Sequence, residues 1–181
     1  MLVVRLRSIG DTVLSTPSLI ALRRFLPADA RIDVLLEDWV APVLEGFDAI
    51  DNVISFKKDD LSSRLRTAAL IRRAKYDVAF NLHGGTTATF FVRASGARHR
   101  VGYRELQYNF LYNHLLSSAA DFWQKEITHS AEQQLALVGF VGVPVADRPK
   151  SRLAVTEKAK KSIEEKLNKF QISDFRFQIS N

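Results

Sequence analysis

Short apolar runs alternate with longer stretches of helical period along most of this chain. Leu2-Val-Val-Arg-Leu6 is rich in β-branched residues and runs into Ser8-Ile-Gly-Asp11, which predicts a buried strand and a tight turn. Val13, Leu14, Ile20, Leu22, Phe25 and Leu26 then mark a helix. Pro17 leaves two versions of it. Either Thr16 caps a helix with proline at its first position, or the helix starts near Gly10 and bends at the proline. Further strands are predicted at 31–36, 52–56, 76–82 and 100–103. Between them fall a short helix at 39–44, a helix after Asp59-Asp60, and a helix at 88–95. On the second of these, Leu61, Leu65, Ala68 and Ala69 form the expected apolar face. A helix at 129–141 follows an aromatic-rich stretch, 105–125, whose period is irregular.

Strands that alternate with helices across loops of a few residues imply βαβ units and a parallel sheet. The expected fold is therefore α/β, a Rossmann-like doubly wound and mostly parallel sheet over residues 1–148. Gly142-Val-Pro-Val-Ala-Asp-Arg-Pro149 reads as a linker. Beyond it Ala159, Ile163, Leu167 and Phe170 share one helical face, and Phe175–Asn181 reads as a strand. Residues 149–181 are thus expected to be a linker, a helix and the opening of a second domain.

In such a sheet ligands sit outside the carboxyl ends of the strands, where the strand order reverses. In the common Rossmann order the first and fourth strands are neighbours at that point. Here they end in Ser8-Ile-Gly10-Asp11 and in His83-Gly84-Gly85-Thr-Thr87, so these two polar turns should face one crevice. Asp11 reads either as a helix cap or as a base for a hydroxyl proton. Arg5 and Arg7 alternate onto one strand face, where an arginine would reach a carboxylate or phosphate; the alternative is an exposed strand end. His83 reads as a proton shuttle, a hydrogen-bond donor or a structural histidine, and Gly84 and Gly85 as close-approach or plain turn residues. Arg93, Arg98, His99, Arg100 and Arg104, with Tyr103 and Tyr108, are either an anion-binding cluster or a solvated face.

Charge and composition narrow the chemistry. A net charge of +6 favours an anionic partner, but it is spread along the chain without a basic tail, which argues against a nucleic-acid arm. The absence of cysteine excludes disulfides and thiolate chemistry. Four histidines without an H-E-x-x-H pattern predict no metal site. No G-x-S-x-G, G-x-x-x-x-G-K-[ST] or G-x-G-x-x-G motif is present. The amino-terminal apolar run is broken by Arg5 and Arg7, which is unlike a signal peptide.

These motifs, in this order, resemble glycosyltransferase family 9, the lipopolysaccharide heptosyltransferases. Val3-Val-Arg-Leu-Arg-Ser-Ile-Gly-Asp-Thr-Val-Leu-Ser-Thr-Pro-Ser-Leu19 is similar to the family's opening strand, [ST]-x-G-D turn and T-P-A-L helix. Tyr76-Asp-Val-Ala-Phe-Asn-Leu-His-Gly84 resembles its Y-D-x-x-[IV]-D-x-[QH]-G. Ser95-Gly-Ala-Arg-His-Arg-Val-Gly102 resembles S-G-A-x-x-R-[IV]-G, and His129-Ser-Ala-Glu132 a late H-x-x-[ED] helix. The resemblance implies the amino-terminal, acceptor-binding half of a GT-B fold. It implies inverting, metal-free transfer of a sugar, heptose from ADP-heptose, to a phosphorylated Kdo–lipid A or inner-core glycan. The nucleotide sugar would be held by the second domain, and no other cofactor is expected. Asp11 takes the place of the base, and Arg5 that of a basic residue that contacts phosphate. Ser8, Gly10, His83, Gly84 and Gly85 complete the expected substrate site, with His83 where many members have glutamine. A monomer in the cytoplasm, peripheral on the inner membrane, is the expected setting. The alternatives are a non-catalytic module for glycan or acidic lipid, and an inactive fragment.

Overall fold

The structure, a computed structural model, describes residues 1–169. The strand expected at 175–181, and Phe170, lie outside the described residues. Six strands form one sheet: β1 (Leu2–Val4), β2 (Asp33–Glu37), β3 (Asn52–Phe56), β4 (Val78–Asn81), β5 (His99–Tyr103) and β6 (His114–Leu116). Their order is β3-β2-β1-β4-β5-β6, and every pairing is parallel. The strand order reverses between β1 and β4, whose register sets Leu2 opposite Ala79 and Val4 opposite Asn81.

The helices are α1 (Ile9–Phe25), α2 (Leu61–Arg73), α3 (Thr86–Ser95), α4 (Ala119–Trp123), α5 (Ser130–Phe140) and α6 (Glu157–Lys169). Two cores result, one on each sheet face, because neighbouring strand residues point opposite ways. Val3, Val34, Leu36 and Phe80 pack with Leu19 and Leu22 of α1 and Leu135 and Val138 of α5. Leu2, Val4, Leu35 and Ala79 pack with Ile71 of α2 and Phe91 and Val92 of α3. The sheet is doubly wound, as the alternation of elements predicts.

The proline question resolves in favour of the long helix: α1 runs from Ile9 through Pro17. Proline has no N–H for the carbonyl four residues back, that of Val13. The Thr16 hydroxyl donates to this carbonyl instead, at 2.7 Å. Asp60 caps α2 by accepting from the Ser63 N–H at 3.0 Å.

Three expectations are corrected. On α2, Thr67 and Ile71 are buried, whereas Leu61 is 66% and Leu65 55% exposed, so the more polar-flanked stripe meets the sheet. The irregular stretch 105–125 holds a 3-10 turn (Asn109–Leu111), β6 and α4. A three-residue edge strand is too short to show a period. The expected short helix at 39–44 is a 3-10 turn, Ala41–Leu44. Past the prolines the chain returns to the domain. The Arg152 N–H donates to Thr16 Oγ1 at 3.1 Å, and its guanidinium lies over the Phe47 ring at 4.8 Å and pairs with Asp48. Among the described residues no helix is long and apolar enough to cross a membrane.

Candidate functional site

The carboxyl ends of β1 and β4 open into a crevice of about 320 Å³ whose lining includes Arg5, Asp11, Asn81, His83, Gly84 and Gln134. Arg5 leaves β1 just after its last ladder residue and points into this crevice; its side chain is only 7% exposed. Its guanidinium makes three contacts. Nη2 pairs with Asp11 Oδ2 at 2.6 Å, while Nη1 donates to the Leu82 carbonyl at 3.0 Å and lies 3.1 Å from His83 Nδ1. One buried cation thus ties the two turns together across the strand-order reversal.

Asp11 is not the helix cap. Ser8 is: its side chain accepts from the Asp11 N–H at 3.4 Å. Asp11 lies one turn in, with a side chain 38% exposed, and the Ser8 hydroxyl donates to Asp11 Oδ2 at 3.0 Å. Arg5 and Ser8 therefore both hold Oδ2. Among the described residues Oδ1 makes no hydrogen bond, which leaves it able to accept one from a ligand hydroxyl.

Arginine only donates, so His83 Nδ1 accepts from Arg5 and the neutral ring carries its proton on Nε2. Burial, then the charges of Arg5 and Arg7, push the His83 pKa down to about 4. His83 is thereby a neutral donor at neutral pH. Its turn is fixed from below. Asn81 Oδ1 accepts from the N–H groups of His83 and Gly84 at 3.0 and 2.8 Å. Asn81 Nδ2 donates to the Tyr112 hydroxyl at 2.6 Å, which donates to Thr89 Oγ1 at 2.9 Å. Gly84 sits at φ +90°, a conformation that favours glycine.

Other expected residues fall elsewhere. Arg7 does not share a face with Arg5: the β1 ladder ends at Val4, so strand alternation stops before residue 7. Arg7 is exposed, in a separate hollow with Glu37, Trp39 and Lys57. Ser8 reaches the crevice through Asp11, while Gly10 and Gly85 lie in the first turn of α1 and at the cap of α3 and do not line it. The basic cluster at 93–104 is dispersed. Arg100 bonds the Leu111 and Ala97 carbonyls, and His99 meets His114 at the amino end of the sheet.

The sequence reading missed Gln134. This buried amide on α5 donates to the Asp11 carbonyl at 3.4 Å, and among the described residues its Oε1 has no partner. The usable signal was the helix opening at His129, since Thr128, Ser130 and Gln133 line the same crevice. The positive ends of α1 and α5 thus converge there with Arg5, a setting that favours anions. Among the described residues no three His, Cys, Asp or Glu side chains gather as a metal site would require.

Several solved structures share this architecture. A glycosyltransferase of family 9 from Veillonella parvula matches with a TM-score of 0.79 at 18% identity, over 96% of this chain and 50% of that one. The E. coli ADP-heptose lipopolysaccharide heptosyltransferase II matches with a TM-score of 0.71 at 21% identity, over 96% of this chain and 51% of its own. The chain has the fold of half a heptosyltransferase. A third match, the E. coli heptosyltransferase WaaC with ADP, has a TM-score of 0.67 at 18% identity and covers 84% of this chain and 49% of that one. The chain therefore spans about half the length of the structures it resembles. No protein-family model and no curated protein matches it by sequence.

Proposed function

We propose that this chain is the acceptor-binding half of an inverting glycosyltransferase, with residues 1–148 as the acceptor domain and 149 onward leading into a donor-binding domain. The observation that carries the reading is the Asp11 carboxylate. One oxygen is held by Arg5 and Ser8 and the other is free at the crevice, between turns that a ligand would touch. The fold shared with heptosyltransferases supports the same reading.

In this account a phosphorylated inner-core glycan, or Kdo–lipid A, sits in the crevice. Its anionic groups lie near Arg5 and the amino ends of α1 and α5. Asp11 Oδ1 takes the proton of the acceptor hydroxyl as that oxygen attacks the anomeric carbon of the donor, ADP-heptose. The bond to the nucleotide diphosphate breaks on the opposite face, and the leaving group keeps the electron pair, so the anomeric centre inverts. Neutral His83 offers its Nε2 proton to an acceptor oxygen. The enzyme works on the cytoplasmic face of the inner membrane, where a lipid-borne acceptor is presented.

Asp11→Asn, in a two-domain protein that carries this domain, keeps the shape and the Ser8 contact but removes the base. Turnover should fall about 10²–10⁴-fold while acceptor affinity changes little. Unchanged turnover would remove Asp11 from this role.

A further inference from the structure

The sheet face covered by α2 and α3 carries an outer surface that the crevice does not use. Leu61, Leu65 and Leu70 of α2, and Phe90 of α3, are exposed. The segment after β5 adds Tyr108 and Phe110, the latter 76% exposed, with their rings edge to face at 6.2 Å. Between them runs a groove lined by Ala68, Ala69, Phe90, Ala94, Tyr108 and Leu111. Of the apolar stripe that the period of α2 predicts, Leu61, Leu65 and Ala69 are exposed, and only Ala68 leans on the core. A stripe of this kind marks an interaction surface.

Its charge says what the surface meets. Across α2 and α3 the charged residues are Arg64, Arg66, Arg72, Arg73 and Arg93, without one Asp or Glu. Arg72 and Arg93 line the groove itself. Asp60, the amino-terminal cap of α2, pairs with Arg66 at 3.5 Å and does not line the groove. Helix α6 is the contrast: its exposed Ile163 and Leu167 stand among Glu157, Glu164 and Glu165 as well as lysines. An apolar strip with aromatic rings, rimmed by guanidiniums alone, matches the boundary of an anionic bilayer. There the rings enter the acyl region and the arginines meet lipid phosphates.

The groove also adjoins the crevice. Thr89 on its wall accepts from Tyr112, and Tyr112 is bound by Asn81, the residue that holds the His83–Gly84 turn. We propose that the α2–α3 groove, with Tyr108 and Phe110, seats the protein on an anionic phospholipid bilayer and so brings the crevice to the level of the head groups. This deepens the reading above, on which it rests for the claim that the acceptor is lipid-borne.

The test is co-sedimentation of this chain with vesicles of phosphatidylethanolamine and phosphatidylglycerol, against vesicles of phosphatidylcholine alone. The expected result is binding to the anionic vesicles only, weakened by salt. Phe90→Ser with Phe110→Ser, and separately Arg72→Gln with Arg93→Gln, should each lower it about tenfold or more. Ile163→Ser with Leu167→Ser on α6 should leave it unchanged. Equal binding to both vesicles, or equal loss in the α6 variant, would overturn the proposal. So would self-association or nucleic-acid binding through the same residues in place of vesicle binding. A soluble, deacylated acceptor reads the crevice without any bilayer, so failure of the groove and failure of the crevice are separate results.

Discussion

Each end of the sheet buries a charged side chain against an opposite charge, and the two ends differ in what is left over. At the amino end the Asp33 carboxylate is fully buried and closed on every side. Oδ1 accepts from Arg31 Nε at 2.9 Å and Asn52 Nδ2 at 3.0 Å, and Oδ2 from the Tyr76 hydroxyl and from Arg31 Nη2 at 2.7 Å. No capacity remains for a ligand. At the carboxyl end the buried group is the Arg5 cation, and its network is open. Among the described residues Asp11 Oδ1, Gln134 Oε1 and Arg5 Nε all lack partners, and His83 Nε2 has no acceptor for its proton. Arg5 Nε and Gln134 Oε1 are the buried members, and a buried polar group without a partner costs about 1–3 kcal/mol, which a ligand bonded to it would offset. In the function proposed above, the closed end holds the fold and the open end is the one left to bind.

That contrast can be broken by substitution at either end. The largest expected effect is at the closed end. Asp33→Ala strands the buried Tyr76 hydroxyl and frees the Arg31 and Asn52 side chains, and it should cost about 3 kcal/mol of stability by denaturant unfolding, with acceptor affinity unchanged. A comparable loss of acceptor affinity would merge the two ends into one unit. Next comes Arg5→Met, which keeps most of the volume and removes the guanidinium. Stability should fall by about 1–2 kcal/mol, because Asp11 can still reach water, while affinity for a phosphorylated acceptor falls about tenfold. Stability lost with affinity kept would make Arg5 a second Asp33.

At neutral pH the smallest effect is that of His83, which emerges as a slope when the pH is lowered. The folded His83 pKa is lowered to about 4 from an ordinary 6.5, so between these values the unfolded chain binds the proton and the folded one does not. His83 therefore opposes folding increasingly as pH falls through that window. His83→Gln should flatten the decline in stability from pH 6.5 to about 4 and leave it unchanged above pH 7. An unaltered slope would show that the ring is already solvated.

The crevice was legible because it follows from sequence order alone. Strands one and four are neighbours in this topology, and their turns carry Gly10-Asp11 and His83-Gly84, so Arg5, Asp11, His83 and Gly84 could be placed together beforehand. Gln134 could not be. It enters when α5 packs on α1 and brings its backbone partner within reach across 123 residues, with no local pattern to announce it. The division of labour between Ser8 and Asp11 was hidden for another reason. Both residue types cap helices, and only the position of the first turn decides between them. Helix α2 misled because its period is sound but the leucines of its apolar stripe face outward. Periodicity finds the stripe and does not say what covers it.

The most direct test is an NMR titration of the labelled chain with a deacylated, phosphorylated Kdo-bearing acceptor and, separately, with ADP-heptose. The account predicts that the acceptor alone shifts the amide resonances of Gly10, Asp11, His83 and Gly84, together with the Gln134 side-chain amide. Resonances around Asp33 and Tyr76 should stay in place. Shifts from ADP-heptose at these same residues, or an acceptor that leaves the crevice unmoved, would contradict it.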